Sequence, residues 1–195
     1  MQLLHRFRTR PKADEPLPLP VAAFTAFTFL SALAVGVTST DTFSRLTMLG
    51  GLIACVAIWQ TVRDPLVITS LMTMVFGAVL GWGLNFYDRI WWYDDLAHFL
   101  FSFVTVMALA RLALPRFRAD SVVLLMVATW LAWLGIGSLW EIAEWTSDQL
   151  ANTEHSRGYT DTMHDMMLNS AGAGIGMFVY WRWLHLPSHD RDLAE

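Results

Sequence analysis

The sequence predicts an all-α polytopic membrane protein, with about six transmembrane helices in one bundle. Three observations predict it. Of the 195 residues, 55% are hydrophobic and only 15% charged, and the mean hydropathy is +0.42. A water-soluble domain of this length needs far more charge to cover its surface. Apolar runs recur at about 21–38, 44–62, 66–86, 93–114, 121–145 and 162–184. Each is close to the roughly 20 residues that cross a hydrocarbon core. Finally, all seven prolines lie outside the interiors of these runs, so no span has a proline reason to kink.

Residues 1–20 form a lead-in with Arg6, Arg8, Arg10 and Lys12, then Pro16, Pro18 and Pro20. Ala32-Leu33-Ala34 in the first span resembles a signal-peptidase site. The apolar run starts near Leu17 and passes well beyond that tripeptide, so a membrane helix is the better reading. Residues 21–184 then make one membrane domain, and 185–195 a polar tail.

Six spans put both termini on one side. The lead-in, the loops near Arg63 and Arg111–Arg118, and the end with Arg182 and Arg191 hold ten of the thirteen basic residues. The opposite loops hold Arg45, Arg89 and Arg157, with ten of the seventeen acids. The positive-inside rule therefore predicts cytoplasmic termini. Trp91, Trp92 and Trp145 fall at an outer aromatic belt; Trp59, Trp181 and Trp183 fall at an inner one. Gly77/Gly81 and Gly172/Gly176 have the small-xxx-small spacing that permits close helix approach or homo-oligomerisation. A net charge of −4 gives no support for nucleic-acid binding. The single cysteine, Cys55, excludes an internal disulfide framework.

The polar residues of the outer halves carry the functional reading. Asp94 and Asp95 precede His98 by four and three residues, so one or both share its helical face. On the fifth span Glu141 and Glu144 share a face, with Gly137 one turn deeper. The sixth carries Asp161, Asp165 and Asn169 at four-residue spacing, with Gly172 and Gly176 continuing inward. His98, Glu141 and Asp165 each lie roughly 6–8 Å inward from a helix end, by the helical rise. Acids at such depth are unfavourable unless paired, ligated or wetted.

A His/Asp/Glu set suits Zn²⁺, Mn²⁺ or Fe²⁺; carboxylates without His favour Mg²⁺ or Ca²⁺. His98, Glu141 and Asp165 are the expected ligands, with Asp95, Glu144 and Asp161 as further ligands or acid–base groups. Asn169 is expected to orient a ligand or water from behind, and Arg157 to meet an anionic head group. Metal-free acid–base catalysis and a proton or cation pathway are the competing chemistries. Plain helix capping competes for Asp161, Thr162 and Asp165, and a favourable helix dipole for Asp94 and Asp95. The expected activity is hydrolysis or group transfer on a lipid-linked substrate in the outer leaflet. A small ion- or proton-coupled transporter and a non-catalytic lipid-binding or assembly protein are the alternatives. The inner halves of spans four to six carry no carboxylates, which favours a one-sided site over a transport pathway.

Arg157, Asp165, Asn169 and Gly172 resemble the Arg…Asp-x-x-x-Asn-x-x-Gly pattern of VanZ-like membrane proteins. Asp95-x-x-His98 and Glu141 resemble that family's Asp-x-x-His and Glu positions, although Glu144-Trp145 stands where a Gln is usual. Trp92-Tyr93-Asp94-Asp95-Leu96-Ala97-His98, Leu139 to Trp145 and Tyr159-Thr160-Asp161-Thr162 are more similar still to the YjdF-like bacterial inner-membrane family. The resemblance spans roughly residues 80–180. It implies a bacterial inner-membrane location and supplies no reaction.

Overall fold

The computed structural model describes residues 16–113 and 122–185. The basic residues of the lead-in, Arg116, Arg118 and the tail from residue 186 lie outside them. Seven helices follow in order: α1 (Leu19–Thr38), α2 (Thr42–Thr61), α3 (Pro65–Ala78), the short α4 (Phe86–Arg89), α5 (Tyr93–Ala113), α6 (Val122–Ala151) and α7 (Tyr159–His185).

Local chemistry sets the helix starts. Pro18 is the N-cap of α1 and Pro20 lies in its first turn, where a missing N–H does no harm. Asp41 caps α2, its Oδ2 accepting from the Ser44 N–H at 2.7 Å. Asp64 caps α3, its Oδ1 accepting from the Leu66 N–H at 3.0 Å, with Pro65 as the first helical residue. At α2 and α3 one otherwise orphaned donor of the first turn is thereby satisfied.

The third span departs from the expected 66–86. α3 widens into a π-helical turn over Val79–Gly83, and Asn85 then takes a left-handed conformation (φ 57°). No proline is involved; Asn tolerates that conformation better than most residues. The fifth and sixth spans are longer than expected. α6 continues to Ala151 rather than ending near 145, and α7 begins at Tyr159 rather than 162. The expected loop at 146–161 shrinks to residues 152–158. Asp148 accounts for this: its carboxylate accepts from Thr153 Oγ1, the N–H groups of His155 and Ser156, and Ser156 Oγ, at 2.6–2.9 Å. Because α7 starts at Tyr159, Asp161 lies in its first turn and is not the N-cap.

Five of the described helices are long and apolar enough to cross a membrane. α7 is as long, but its acids, Asn169 and glycines lower its apolar character. At 30 residues, α6 is about 45 Å long and outreaches a hydrocarbon core of about 30 Å. Large apolar side chains such as Phe27, Leu30, Ile53, Leu124 and Leu139 point outward, as in a protein solvated by lipid.

α5 and α7 form the most extensive helix pair, with α3 against α5 and α6 against both α5 and α7. Glycines set the closeness of the central pair. A Cβ on Gly176 would stand 2.5 Å from the Phe103 carbonyl oxygen, and one on Gly172 would overlap that of Phe99. Gly77 and Gly81 are likewise occupied, by the rings of Phe101 and Tyr87. The close approach that the small-xxx-small spacing permits is thus made within one chain at all four glycines. Below the polar end, Val106, Ala110, Trp133, Ala173, Met177 and Tyr180 form the main core. At the other end of α5, buried Arg111 donates from Nε to Asp64 Oδ2 at 2.7 Å.

Candidate metal centre

α5 enters through a tight turn in which the Tyr93 N–H donates to the Ile90 carbonyl at 2.9 Å. Its first turn carries Asp94 and Asp95. Asp94 and His98, one turn apart, lie on a common face, with Asp94 Oδ1 3.6 Å from His98 Nε2. Asp165 of α7 brings Oδ2 to 3.7 Å from the same nitrogen. Glu141 of α6 brings Oε1 to 3.8 Å from the other ring nitrogen, Nδ1. His98, Glu141 and Asp165 therefore meet around one imidazole, and Asp94 joins them. Glu141 and Asp165 are only 4% and 2% exposed, which makes isolated negative charge unfavourable at either.

None of these separations is a hydrogen bond. Both oxygens of Glu141 lack a hydrogen-bond partner among the described residues; the Thr162 hydroxyl is its other polar neighbour. One ligand atom each from Asp94, His98 and Asp165 lies within 4.8 Å of the others. Ligands 2.0–2.2 Å from a tetrahedral ion stand roughly 3.3–3.6 Å apart. The two contacts to Nε2 are close to that spacing, so these three side chains are the ones that could hold a metal ion.

The other expected site residues fall into two groups. Asn169 is buried beside the His98 ring, and its Oδ1 accepts from Ser102 Oγ at 2.7 Å. Glu144 accepts from Trp140 Nε1 at 2.9 Å and lines the space in front of the cluster. Asp161 lies within reach of the charges of Asp94, Arg157 and His98. Arg157, in a left-handed conformation (φ 43°), donates from Nη1 to Asp94 Oδ2 at 3.0 Å and from Nη2 to the Tyr87 carbonyl at 2.8 Å. Asp95 turns away: its Oδ1 meets His164 Nδ1 at 3.2 Å on the more exposed side. Of the two adjacent acids, Asp94 is the one that shares the face of His98.

Two cavities meet at this cluster. One, of about 490 Å³, runs down from Asp94, His98 and Asn169 among mostly apolar side chains. The other, of about 500 Å³, is a polar vestibule including Asp41, Asp88, His155 and Arg157. Trp82, Tyr87, Asp94 and Glu144 line both. Burial, with the Asp94 charge adding to it, pushes the Tyr87 phenol well above its ordinary pKa, so it stays a donor. At the rim, partial burial opposes ionisation of Asp41, but the Ser44 hydroxyl and N–H outweigh it and hold the carboxyl below its ordinary value.

A family model described as "Predicted membrane protein (DUF2238)" matches residues 18–185. The chain belongs to the DUF2238 family. The match begins beside α1 and ends with α7, so every helix described above lies inside it. This DUF2238 chain is also 32% identical over 112 residues to an "Uncharacterized protein" of Thermotoga maritima. The aligned part is 56% of the chain, and the chain spans little more than half, 57%, of that relative's length. No solved structure matches the DUF2238 chain.

Sequence reasoning missed three parts of this DUF2238 site. Ser102, which holds Asn169, carries no signal beyond a lone hydroxyl in an apolar helix. The Trp140 contact to Glu144 is an i,i+4 pair and was open to inspection. The Asp148 carboxylate that organises the 152–158 loop depends on backbone geometry, which the sequence does not display.

Proposed function

We propose that this protein binds a divalent metal ion through Asp94, His98 Nε2 and Asp165 and acts on a lipid-linked substrate in the outer leaflet by hydrolysis or group transfer. One observation carries the reading: a histidine nitrogen faces two carboxylates at 3.6 and 3.7 Å, too far for hydrogen bonds and close to the spacing of ligands on one ion. A bound cation offsets the mutual repulsion of the acids, and such an ion activates water or polarises an ester or phosphoryl oxygen.

The surrounding residues support defined roles. Glu141 stands 3.8 Å from Nδ1, on the side from which carboxylates support metal-bound histidines. Glu144 at the cavity mouth is the general base, and Asp161 a second acid–base group. Asn169, held by Ser102, orients a water or ligand. Arg157 meets the anionic part of a head group. Asp95, paired with His164, contributes charge at the rim. The set suits Zn²⁺, Mn²⁺ or Fe²⁺ ahead of Mg²⁺.

The location that fits is a bacterial inner membrane with both termini cytoplasmic. It rests on the positive-inside bias and on the YjdF-like wording around Asp94, Glu141 and Asp161. Cysteine at exposed Glu154 should react with an impermeant thiol reagent in intact cells, and cysteine at exposed Gln60 should not; native Cys55 is buried and gives little background. The reverse pattern would turn the site to the cytoplasm.

The decisive experiment is metal analysis of the purified protein after incubation with Zn²⁺, Mn²⁺, Fe²⁺ and Mg²⁺. Retained metal that is lost in His98→Ala is expected. If the wild-type chain takes up none of these ions, the metal reading fails. The acids then belong to proton chemistry, as in a proton-coupled transporter, or to lipid binding without catalysis.

A further inference from the structure

The apolar cavity opens sideways as well as upward. Leu46, Gly50 and Ala54 of α2 and Ile136 of α6 line it and are also exposed on the outer surface of the bundle. α2 and α6 make no extensive contact with each other, so the cavity reaches the membrane through the gap between them. Glycines keep that gap wide: a Cβ on Gly50 would meet nothing within 4 Å, and one on Gly51 only Val75 Cγ2 at 4.0 Å.

Three properties say what occupies it. The neighbour on the open side is the bilayer, because the surface around the gap is apolar on membrane-spanning helices. The cavity volume, about 490 Å³, is that of a site for one drug-sized ligand, so it admits one hydrocarbon chain and not a whole two-chain lipid. Trp133 lines the cavity at 6% exposure, and its indole N–H has no hydrogen-bond partner among the described residues. A buried donor of this kind calls for an acceptor, and the carbonyl of an ester- or amide-linked acyl chain is one.

We infer that the gap between α2 and α6 is a lateral portal through which one acyl chain of a membrane lipid enters the cavity, placing its polar head at the Asp94–His98 end. This deepens the function proposed above and rests on its membrane setting and choice of site; chain access itself does not require the metal.

The test uses the full chain in vesicles of diacyl phospholipid carrying a trace of the same lipid with a photoactivatable diazirine on one acyl chain. After irradiation, labelled residues are mapped by mass spectrometry. Labels on Phe101 or Trp133 are expected in the wild-type chain, beside labels on lipid-facing Phe27 and Leu30. Gly51→Phe adds bulk at a cavity-lining position whose Cβ would meet only the Val75 side chain, and Ala54→Trp narrows the portal from its exposed side. Each should lower the cavity labels several-fold and leave those on Phe27 and Leu30 unchanged. Absence of cavity labels in the wild type, or equal labelling in both variants, would overturn the portal. Cavity labelling by an isoprenyl probe with none from the acyl probe would overturn the acyl assignment. Neither variant touches Asp94, His98 or Asp165, so metal content measured on the same samples is expected unchanged. In the wild type, missing cavity labels with metal retained count against the portal alone; cavity labels with no metal count against the metal centre alone.

Discussion

α5 carries a buried charged group at each end, and the two are built differently. At its last turn Arg111 meets Asp64 at 2.7 Å, while the same carboxylate caps α3 through the Leu66 N–H. At its first turns the His98 ring faces Asp94, Asp165 and Glu141 at 3.6–3.8 Å, without a hydrogen bond among these contacts. The inner pair is complete: one charge of each sign, in contact, with backbone help. The outer cluster has three acids around one imidazole and lacks positive charge at its centre. Burial is similar at both ends, so burial does not mark the functional site. Incompleteness separates them: the first pair has its hydrogen bond made, and the contacts around His98 have none, which makes the second the candidate site.

The largest expected effect tests the complete pair. Arg111→Met leaves Asp64 charged and buried, and breaking such a pair typically costs about 3–5 kcal/mol. Thermal melting in detergent should drop sharply, and adding Asp64→Asn should restore most of it. A wild-type melting temperature in the single variant would erase the contrast.

The next effect tests the incomplete cluster. A metal bound at a hundred times its dissociation constant stabilises the folded state by about 2.7 kcal/mol. Chelation should therefore lower the melting temperature of the wild type and leave that of Asp165→Asn unmoved. Without metal, Asp165→Asn should melt no lower than the wild type, because it removes one of several opposed charges. Glu141→Gln keeps the ligands but weakens their support, so metal affinity should fall about 10–100-fold with little change in melting. Large loss of folded protein in both variants would mean that the cluster is structural, like the inner pair.

Much of this contrast was legible in the sequence. His98, Glu141 and Asp165 were expected at one depth because helical rise is regular and hydrophobic runs mark helix ends. They do converge, on one ring. The choice between Asp94 and Asp95 was not legible, since three- and four-residue spacings both reach the same face; the rotation of α5 against α7 decides it. The inner pair was missed because Asp64 and Arg111 lie 47 residues apart, and each reads alone as an ordinary polar helix end. The early end of α3 was missed because a π-helical turn has no proline to announce it. The expected glycine contacts were of the right kind, but periodicity does not say whether the partner is another copy or the same chain.

Two smaller effects sharpen the comparison. Ser102→Ala removes the donor to Asn169 Oδ1 and should cost about 1 kcal/mol. It should also weaken metal binding slightly if Asn169 orients the site. Asp41 is a half-buried counterpart of Asp64, a cap with its hydrogen bonds made but no buried ion pair. Asp41→Ala should cost about 1 kcal/mol or less at neutral pH. Its folded pKa is lowered from 3.8, so the contribution is present above that value and lost as pH falls through the lower folded one. Melting curves of Asp41→Ala and wild type should converge on acidification. A gap that persists at acid pH would show that packing, not charge, sustains the cap.

The glycine contact between α5 and α7 also constrains how the protein moves. Where helices meet through side chains, rotamer changes let them slide or roll. Gly172 and Gly176 leave no such layer, because the backbone of α7 rests on the carbonyls of Phe99 and Phe103. This pair cannot close further, and a one-residue slip would drive the Cβ of a neighbouring residue into those oxygens. This contact fixes the height of His98 relative to Asp165. α2 and α6 bound the cavity with little mutual contact, the Phe43 and Trp140 rings 5.7 Å apart being one meeting point, so access for the proposed ligand falls to them. The bundle thus sets a backbone-to-backbone seam beneath the candidate site and a looser side-chain seam beside the cavity.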